Sequence, residues 1–135
     1  MSAATLNLPE TSTNATAPVA WQLRIEHAAL AAAVIVAYST VGASWWLFAA
    51  LILAPDLGML GYLAGPRIGA RVYNAAHNYA LAAIAVGLGW YFGIQILLAI
   101  GLIWVAHISI DRAMGYGLKL PSSFHDTHLG RIGKR

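Results

Sequence analysis

The chain alternates long apolar runs with short polar breaks, and the runs have the length of membrane spans. Between residues 28 and 55 no position is charged, a stretch of 28 residues. One untilted span takes about 20 residues, so this stretch must contain a break. Gly42-Ala43-Ser44 is the natural place for it, because glycine ends helices and serine starts them. The pattern predicts a first helix over 21–41 and a second over 44–64, then a turn at Gly65-Pro66-Arg67. A third helix is expected over 68–90 and a tight turn near Gly93. A fourth helix is expected over 94–115, ended by Gly115-Tyr116-Gly117 and Pro121. Short connections between four spans predict an all-α antiparallel bundle. The organisation read this way is a disordered N-terminal tail over 1–19, a four-helix membrane domain over 20–118 and a polar cytoplasmic tail over 119–135.

The cations orient the bundle. Arg24, Arg67, Arg71, Arg112, Lys119, Arg131, Lys134 and Arg135 all fall on one side of the expected spans, and the turns near 42–44 and 91–93 carry none. An excess of Lys and Arg marks the cytoplasmic face, so both termini are expected there. Trp45, Trp46, Trp90 and Tyr91 then form an aromatic belt at the opposite interface. Asn14-Ala15-Thr16 fits a glycosylation acceptor but lies on the cytoplasmic side in this topology.

Composition agrees. The chain of 135 residues is 59% hydrophobic and only 10% charged, whereas a soluble domain is about a quarter charged. Its net charge of +3 sits at the ends of apolar runs rather than along one face, which argues for a lipid bilayer as partner and against nucleic acid. With no cysteine, disulfides, thiolate zinc sites, iron–sulfur clusters and c-type haem attachment are excluded.

Charged groups at membrane depth are costly and usually have a partner or a task. At about 1.5 Å per residue, Glu26 lies about 8 Å from the cytoplasmic end of its helix, Asp56 about 13 Å, His77 about 15 Å, Asp111 about 12 Å and His107 about 18 Å. Each helix thus sends a polar group to the same half of the membrane. His107 and Asp111 are four residues apart and share a face, as do Asn74 and His77 at three. Pro55 precedes Asp56 and should kink the second helix, since its ring clashes with the carbonyl of Leu51.

Two imidazoles with two or three carboxylates suit zinc, iron or manganese. Asp56, His77, His107 and Asp111 are the candidate ligands, and His128, in the dense run His125-Asp126-Thr127-His128, is a candidate further ligand from the tail. Asn74 and Asn78 are candidates for orienting those ligands. Glu26 is the candidate general base, and Arg112 the candidate partner of an anionic group or oxyanion. His27 reads as an interfacial surface histidine. Two alternatives use the same residues: an ion-pair network that only ties helices together, and a haem between His77 and His107. The spacing matches no established metal signature, and crowding by Asn78 and Asp111 weighs against a porphyrin. Small residues at Gly61, Gly65 and Gly69, and at Ala29, Ala33 and Ala37, suit close packing at a turn, within the bundle or between protomers.

The runs Ala54-Pro55-Asp56-Leu57-Gly58-Met59-Leu60-Gly61-Tyr62, Tyr73-Asn74-Ala75-Ala76-His77, His107-Ile108-Ser109-Ile110-Asp111-Arg112 and Thr127-His128-Leu129-Gly130-Arg131-Ile132 resemble the small bacterial membrane proteins grouped as domain of unknown function 4260, over about residues 23–132. The resemblance implies a multi-pass protein of the bacterial inner membrane with no assigned activity. It puts the family's signature positions on Asp56, Asn74, His77, His107, Asp111, Arg112 and His128, with Glu26 also matching and His27 and His125 not. A fainter similarity, Pro-Asp followed by a histidine on the next helix, is to inner-membrane proteins labelled metal-dependent hydrolases; their second histidine shortly after the first is missing after His77.

The leading expectation is a membrane-embedded, metal-dependent hydrolase that takes an amphiphilic substrate from the cytoplasmic leaflet. A proton- or cation-coupled transporter or channel subunit in a homo-oligomer, or a structural accessory protein, would use the same polar cluster.

Overall fold

The computed structural model describes residues 17–133. Residues 1–16, with Asn14-Ala15-Thr16, and the last two cations lie outside the described residues. The rest is mostly helical, with one small hairpin near its end: α1 Ala17–Val41, α2 Trp45–Leu51, a 3-10 segment Ala54–Ala64, α3 Pro66–Ala76, α4 Tyr79–Tyr91, α5 Gln95–Met114, then β1 Asp126–Thr127 and β2 Gly130–Arg131. Helix α1 therefore already occupies 17–19, which the sequence pattern assigned to the tail. Three stretches are long and apolar enough to cross a membrane: Val19–Val41, Trp45–Ala64 and Gln95–Met114.

Helix α5 is the centre of the fold, with α1 and α4 packed against it, while α3 packs on the 3-10 segment. Val34 and Tyr38 of α1 meet Ala99, Leu102, Ile103 and Ala106 of α5 in the buried core. The spacings are four residues on α1 and three to four on α5, one stripe of each helix. Ala29 and Ala33 face outward instead, and the buried stripe of α1 is Ala31, Val34 and Tyr38. Gln95 Nε2 donates to the carbonyl of Val41 at one end of the pair, and Arg24 Nε donates to the carbonyl of Ala113 at the other. Helices α1 and α5 are thus antiparallel. Trp45, Trp46, Trp90 and Tyr91 all lie exposed at the Gln95 end, and Arg24, Arg112 and Lys119 belong to the opposite end.

Two breaks shape the site. The expected second helix is not one α-helix. Pro55 lacks an N–H and its ring clashes with a preceding carbonyl, so α2 stops at Leu51 and the chain tightens into 3-10 geometry from Ala54. With three residues per turn, Gly58 and Gly61 fall on one face. That face lies on α3 so closely that a Cβ on Gly61 would sit 2.8 Å from Val72 Cβ and 3.3 Å from Gly69 Cα.

The expected third helix is also split. His77 leaves helical geometry (φ −102°, ψ 31°), and Asn78 is extended and caps α4, its Oδ1 accepting from the Ala80 N–H at 2.7 Å. A break among apolar helices exposes backbone carbonyls that need donors. Helix α5 supplies them: Trp104 Nε1 donates to the Ala76 carbonyl, and Arg112 Nη2 reaches the His77 carbonyl at 3.4 Å.

The tail is folded, not a free polar strand. Gly115 (φ 94°) ends α5, with its own N–H on the Arg112 carbonyl and that of Tyr116 on the Asp111 carbonyl. Asn74 then clamps Lys119 by both backbone groups, donating to its carbonyl at 2.8 Å and accepting from its N–H at 2.7 Å. The hairpin pairs Asp126 with Arg131 and Thr127 with Gly130.

Candidate metal centre

Asp56 from the 3-10 segment, His77 at the end of α3, and His107 and Asp111 from α5 converge, with one ligand atom of each within 4.8 Å of all the others. Both imidazole side chains are almost fully buried, while Asp56 keeps a third of its side chain exposed and Asp111 about a seventh. His77 Nε2 lies 3.4 Å from Asp56 Oδ1 and 3.4 Å from Asp111 Oδ2. His107 Nε2 lies 3.5 Å from each of the same oxygens. The two Nε2 atoms are 3.0 Å apart.

A charge-assisted N–H···O bond closes to about 2.7–2.9 Å. Four donors held tetrahedrally at about 2.0–2.2 Å from one ion stand about 3.3–3.6 Å from one another. All four His–Asp distances fall in the second range, and the 3.0 Å between the two imidazole nitrogens falls short of it. A haem iron instead needs its axial nitrogens about 4 Å apart, at about 2 Å per bond, with the macrocycle between them. The 3.0 Å separation of the His77 and His107 nitrogens leaves no such slot.

The orientation of His77 is held from behind. Its Nδ1 lies 2.9 Å from the Tyr73 carbonyl. A carbonyl only accepts, so Nδ1 carries the proton and Nε2 presents its lone pair to the cluster, the arrangement seen for ligating histidines. The Tyr73 ring stacks on His77 at a centroid distance of 3.7 Å, and its hydroxyl lies 3.5 Å from Asp111 Oδ2. Tyr73 is therefore part of the site, and sequence reasoning did not single it out. Its position four residues before His77, on the same helix face, was the available signal.

A cavity of about 450 Å³ opens onto the cluster. Asp56, His107 and Asp111 form its polar wall, Tyr73 and Lys119 flank them, and Leu53, Met59 and Ile110 are among its apolar residues. Lys119 is buried, its Nζ donating to the Phe124 carbonyl at 3.0 Å and lying 4.0 Å above the Phe124 ring. Burial pushes its ammonium below the ordinary lysine value, and Asp111 opposes that shift.

Five sequence candidates do not reach the cluster. Glu26 is exposed on α1 and accepts from Gln22 Nε2 at 3.1 Å. Its face of α1 is off the stripe that packs on α5. His128 folds back as expected, yet its Nδ1 accepts the Leu118 N–H at 2.8 Å instead of joining the group. Asn74 and Arg112 hold backbone, at Lys119 and at His77 and Tyr116 respectively. Asn78 is a helix cap. His27 stays at the surface of α1, its Nδ1 on the Leu23 carbonyl.

The family described as domain of unknown function DUF4260 matches residues 20–132, most of the chain and every residue of the cluster. The chain belongs to the DUF4260 family. No curated protein and no solved structure matches it. The four clustered residues of this DUF4260 chain come from three separate elements, so no short motif could carry them together.

Proposed function

We propose that this protein is a membrane-embedded, metal-dependent hydrolase. It is read as a four-span protein of a bacterial inner membrane, with α3 and α4 together making the additional span and both termini cytoplasmic. Asp56, His77, His107 and Asp111 hold one zinc, iron or manganese ion. The observation that carries the reading is the set of four His–Asp distances at 3.4–3.5 Å, the spacing of ligands around an ion and too long for hydrogen bonds. A bound ion of this class lowers the pKa of water and polarises an ester or phosphoryl oxygen.

The chain's own groups complete the site. Tyr73 holds a phenolic proton beside Asp111 and faces the cavity. Lys119 sets a positive charge on the cavity wall for an anionic substrate group, the part first assigned to Arg112. Leu53, Met59 and Ile110 accept an apolar chain, which suits an amphiphile entering from the inner leaflet.

Elemental analysis of protein purified in detergent without a His-tag, beside His77→Ala and His107→Ala, tests the reading. About one ion per chain in the wild type, lost in both variants, supports it. No bound metal after reconstitution with zinc, iron and manganese would sink it. A second reading draws on the 3.0 Å separation of the two Nε2 atoms, which is also a hydrogen-bond distance. In that reading the imidazoles pass a proton in a relay, and flux across proteoliposomes without bound metal would favour it.

A further inference from the structure

At the end of the fold where Arg24 meets Ala113, a groove of about 570 Å³ separates α1 from the hairpin. Three guanidiniums line it, Arg24 from α1, Arg112 from α5 and Arg131 from β2, together with His27 and His128. Among the described residues no carboxylate lines it. We infer that this groove is a binding site for a phosphate-bearing anion, either a lipid headgroup or free phosphate.

The donor inventory supports an anion. Arg24 uses Nε on the Ala113 carbonyl, and its guanidinium carbon stands 4.6 Å over the Trp21 ring. Among the described residues its Nη groups make no hydrogen bond. Arg112 commits one N–H of each Nη to the carbonyls of Tyr116 and His77, and a guanidinium has five donors. Arg131 is half-exposed and has only a loose ion pair, Nε to Asp126 Oδ1 at 3.8 Å. His128 accepts at Nδ1 from Leu118, so its ring N–H is at Nε2. His27 has Nδ1 on the Leu23 carbonyl, so its Nε2 is an acceptor when neutral and a donor once protonated.

The carbonyl end of α5 takes up part of this charge through Arg24, and the carbonyls of Tyr116 and His77 take up part through Arg112. The residues that carry the remaining donors border one groove, and forked guanidiniums match phosphate oxygens in pairs. Leu23 and Leu129 add apolar margin beside the exposed apolar surface of α1. A phosphate anchored here can keep an attached acyl chain along α1. Among the described cations, Arg67 and Arg71 lie apart from the groove on α3 and serve as a charge control.

The test is equilibrium binding to detergent-purified protein. The probes are short-chain phosphatidic acid, short-chain phosphatidylcholine and inorganic phosphate. Phosphatidic acid should bind, and Arg131→Gln should weaken it by about tenfold, the loss of one charge-assisted hydrogen bond. Arg24→Gln should do the same, and Arg67→Gln/Arg71→Gln should leave binding intact. Arg131 is exposed, so its variant carries little risk to folding. Equal affinity for inorganic phosphate would assign the site to the free ion, and selectivity for phosphatidic acid to the lipid; both support an anion site. Failure of both probes to bind, equal binding of phosphatidylcholine, or equal losses in the Arg67/Arg71 control would overturn it. The readout is binding, not turnover, so it stands apart from the metal centre.

Discussion

His77 and His107 point their Nε2 atoms at one another across 3.0 Å, with an Asp56 oxygen and an Asp111 oxygen 3.4–3.5 Å from both. His77 spends its ring proton on the Tyr73 carbonyl. Its Nε2 lone pair is therefore directed into the gap between two carboxylates. A cation resolves this arrangement by giving all four atoms one partner.

Metal should therefore stabilise the fold. An ion that binds only the native state at about a hundred times its dissociation constant adds about 2.7 kcal/mol. Zinc or manganese added to chelator-treated protein should raise the melting temperature by several degrees, and His107→Ala should abolish the shift. The measurement is a thermal melt followed by circular dichroism. An equal shift in His107→Ala would place the ion elsewhere.

Tyr73→Phe isolates the hydroxyl, because the phenyl ring can still stack on His77. Loss of a group that contacts a ligating carboxylate commonly costs about 10–100-fold in metal affinity or activity. The 3.5 Å contact to Asp111 Oδ2 is long, so the lower end is expected. Competition with a chelator of known affinity gives the number. Unchanged affinity together with unchanged turnover would remove Tyr73 from the site.

The cluster was legible from depth, and Glu26 missed it on direction. Asp56, His77, His107 and Asp111 were identifiable because charged and imidazole groups rarely lie deep in apolar helices without a task. Glu26 met the same depth criterion, but depth along a helix does not say which way a side chain points. The stripe that α1 turns toward α5 is set by Ala31, Val34 and Tyr38, and Glu26 is off it. Helix ends with a glycine were read closely: Gly42 follows α1 and Gly115 follows α5, both at positive φ.

The internal breaks were harder. Pro55 announced a kink, but the 3-10 winding beyond it depends on Gly58 and Gly61 lying against α3, a tertiary contact. The split at His77 depends on an Asn78 cap and on donors from α5 for the freed carbonyls. The folding of the tail was harder to read because its anchors, Asn74 on Lys119 and Leu118 on His128, are polar contacts between residues 45 and 10 positions apart.

Helices α4 and α5 touch through glycine. A Cβ on Gly89 would lie 2.3 Å from the Leu98 backbone nitrogen, whereas one on Gly87 meets nothing within 4 Å. Gly89→Ala must push the helices apart, at a cost of about 1–3 kcal/mol or more because backbone cannot rotate away. Gly87→Ala should be neutral or stabilising by up to about 1 kcal/mol through helix propensity. Paired denaturation midpoints of the two variants decide it; equal midpoints would contradict the close approach.

His128 makes the attachment of the tail depend on pH. Its Nδ1 accepts the Leu118 N–H, an interaction lost when the ring is protonated. Burial, with the positive charge of Arg112 adding to it, holds the docked ring below the ordinary histidine value. Above about pH 7.5 the docked and released rings are both almost wholly neutral, so attachment is at full strength. As pH falls below that value, the released ring takes up a proton that the docked ring refuses. Release is favoured further with each step down until the docked ring also titrates. The protection factor of the Leu118 amide, corrected for intrinsic exchange, should therefore drop between about pH 7.5 and about pH 5.5. In His128→Gln the drop should be absent. A drop of the same size in that variant would assign the pH dependence to another group at this end of the molecule.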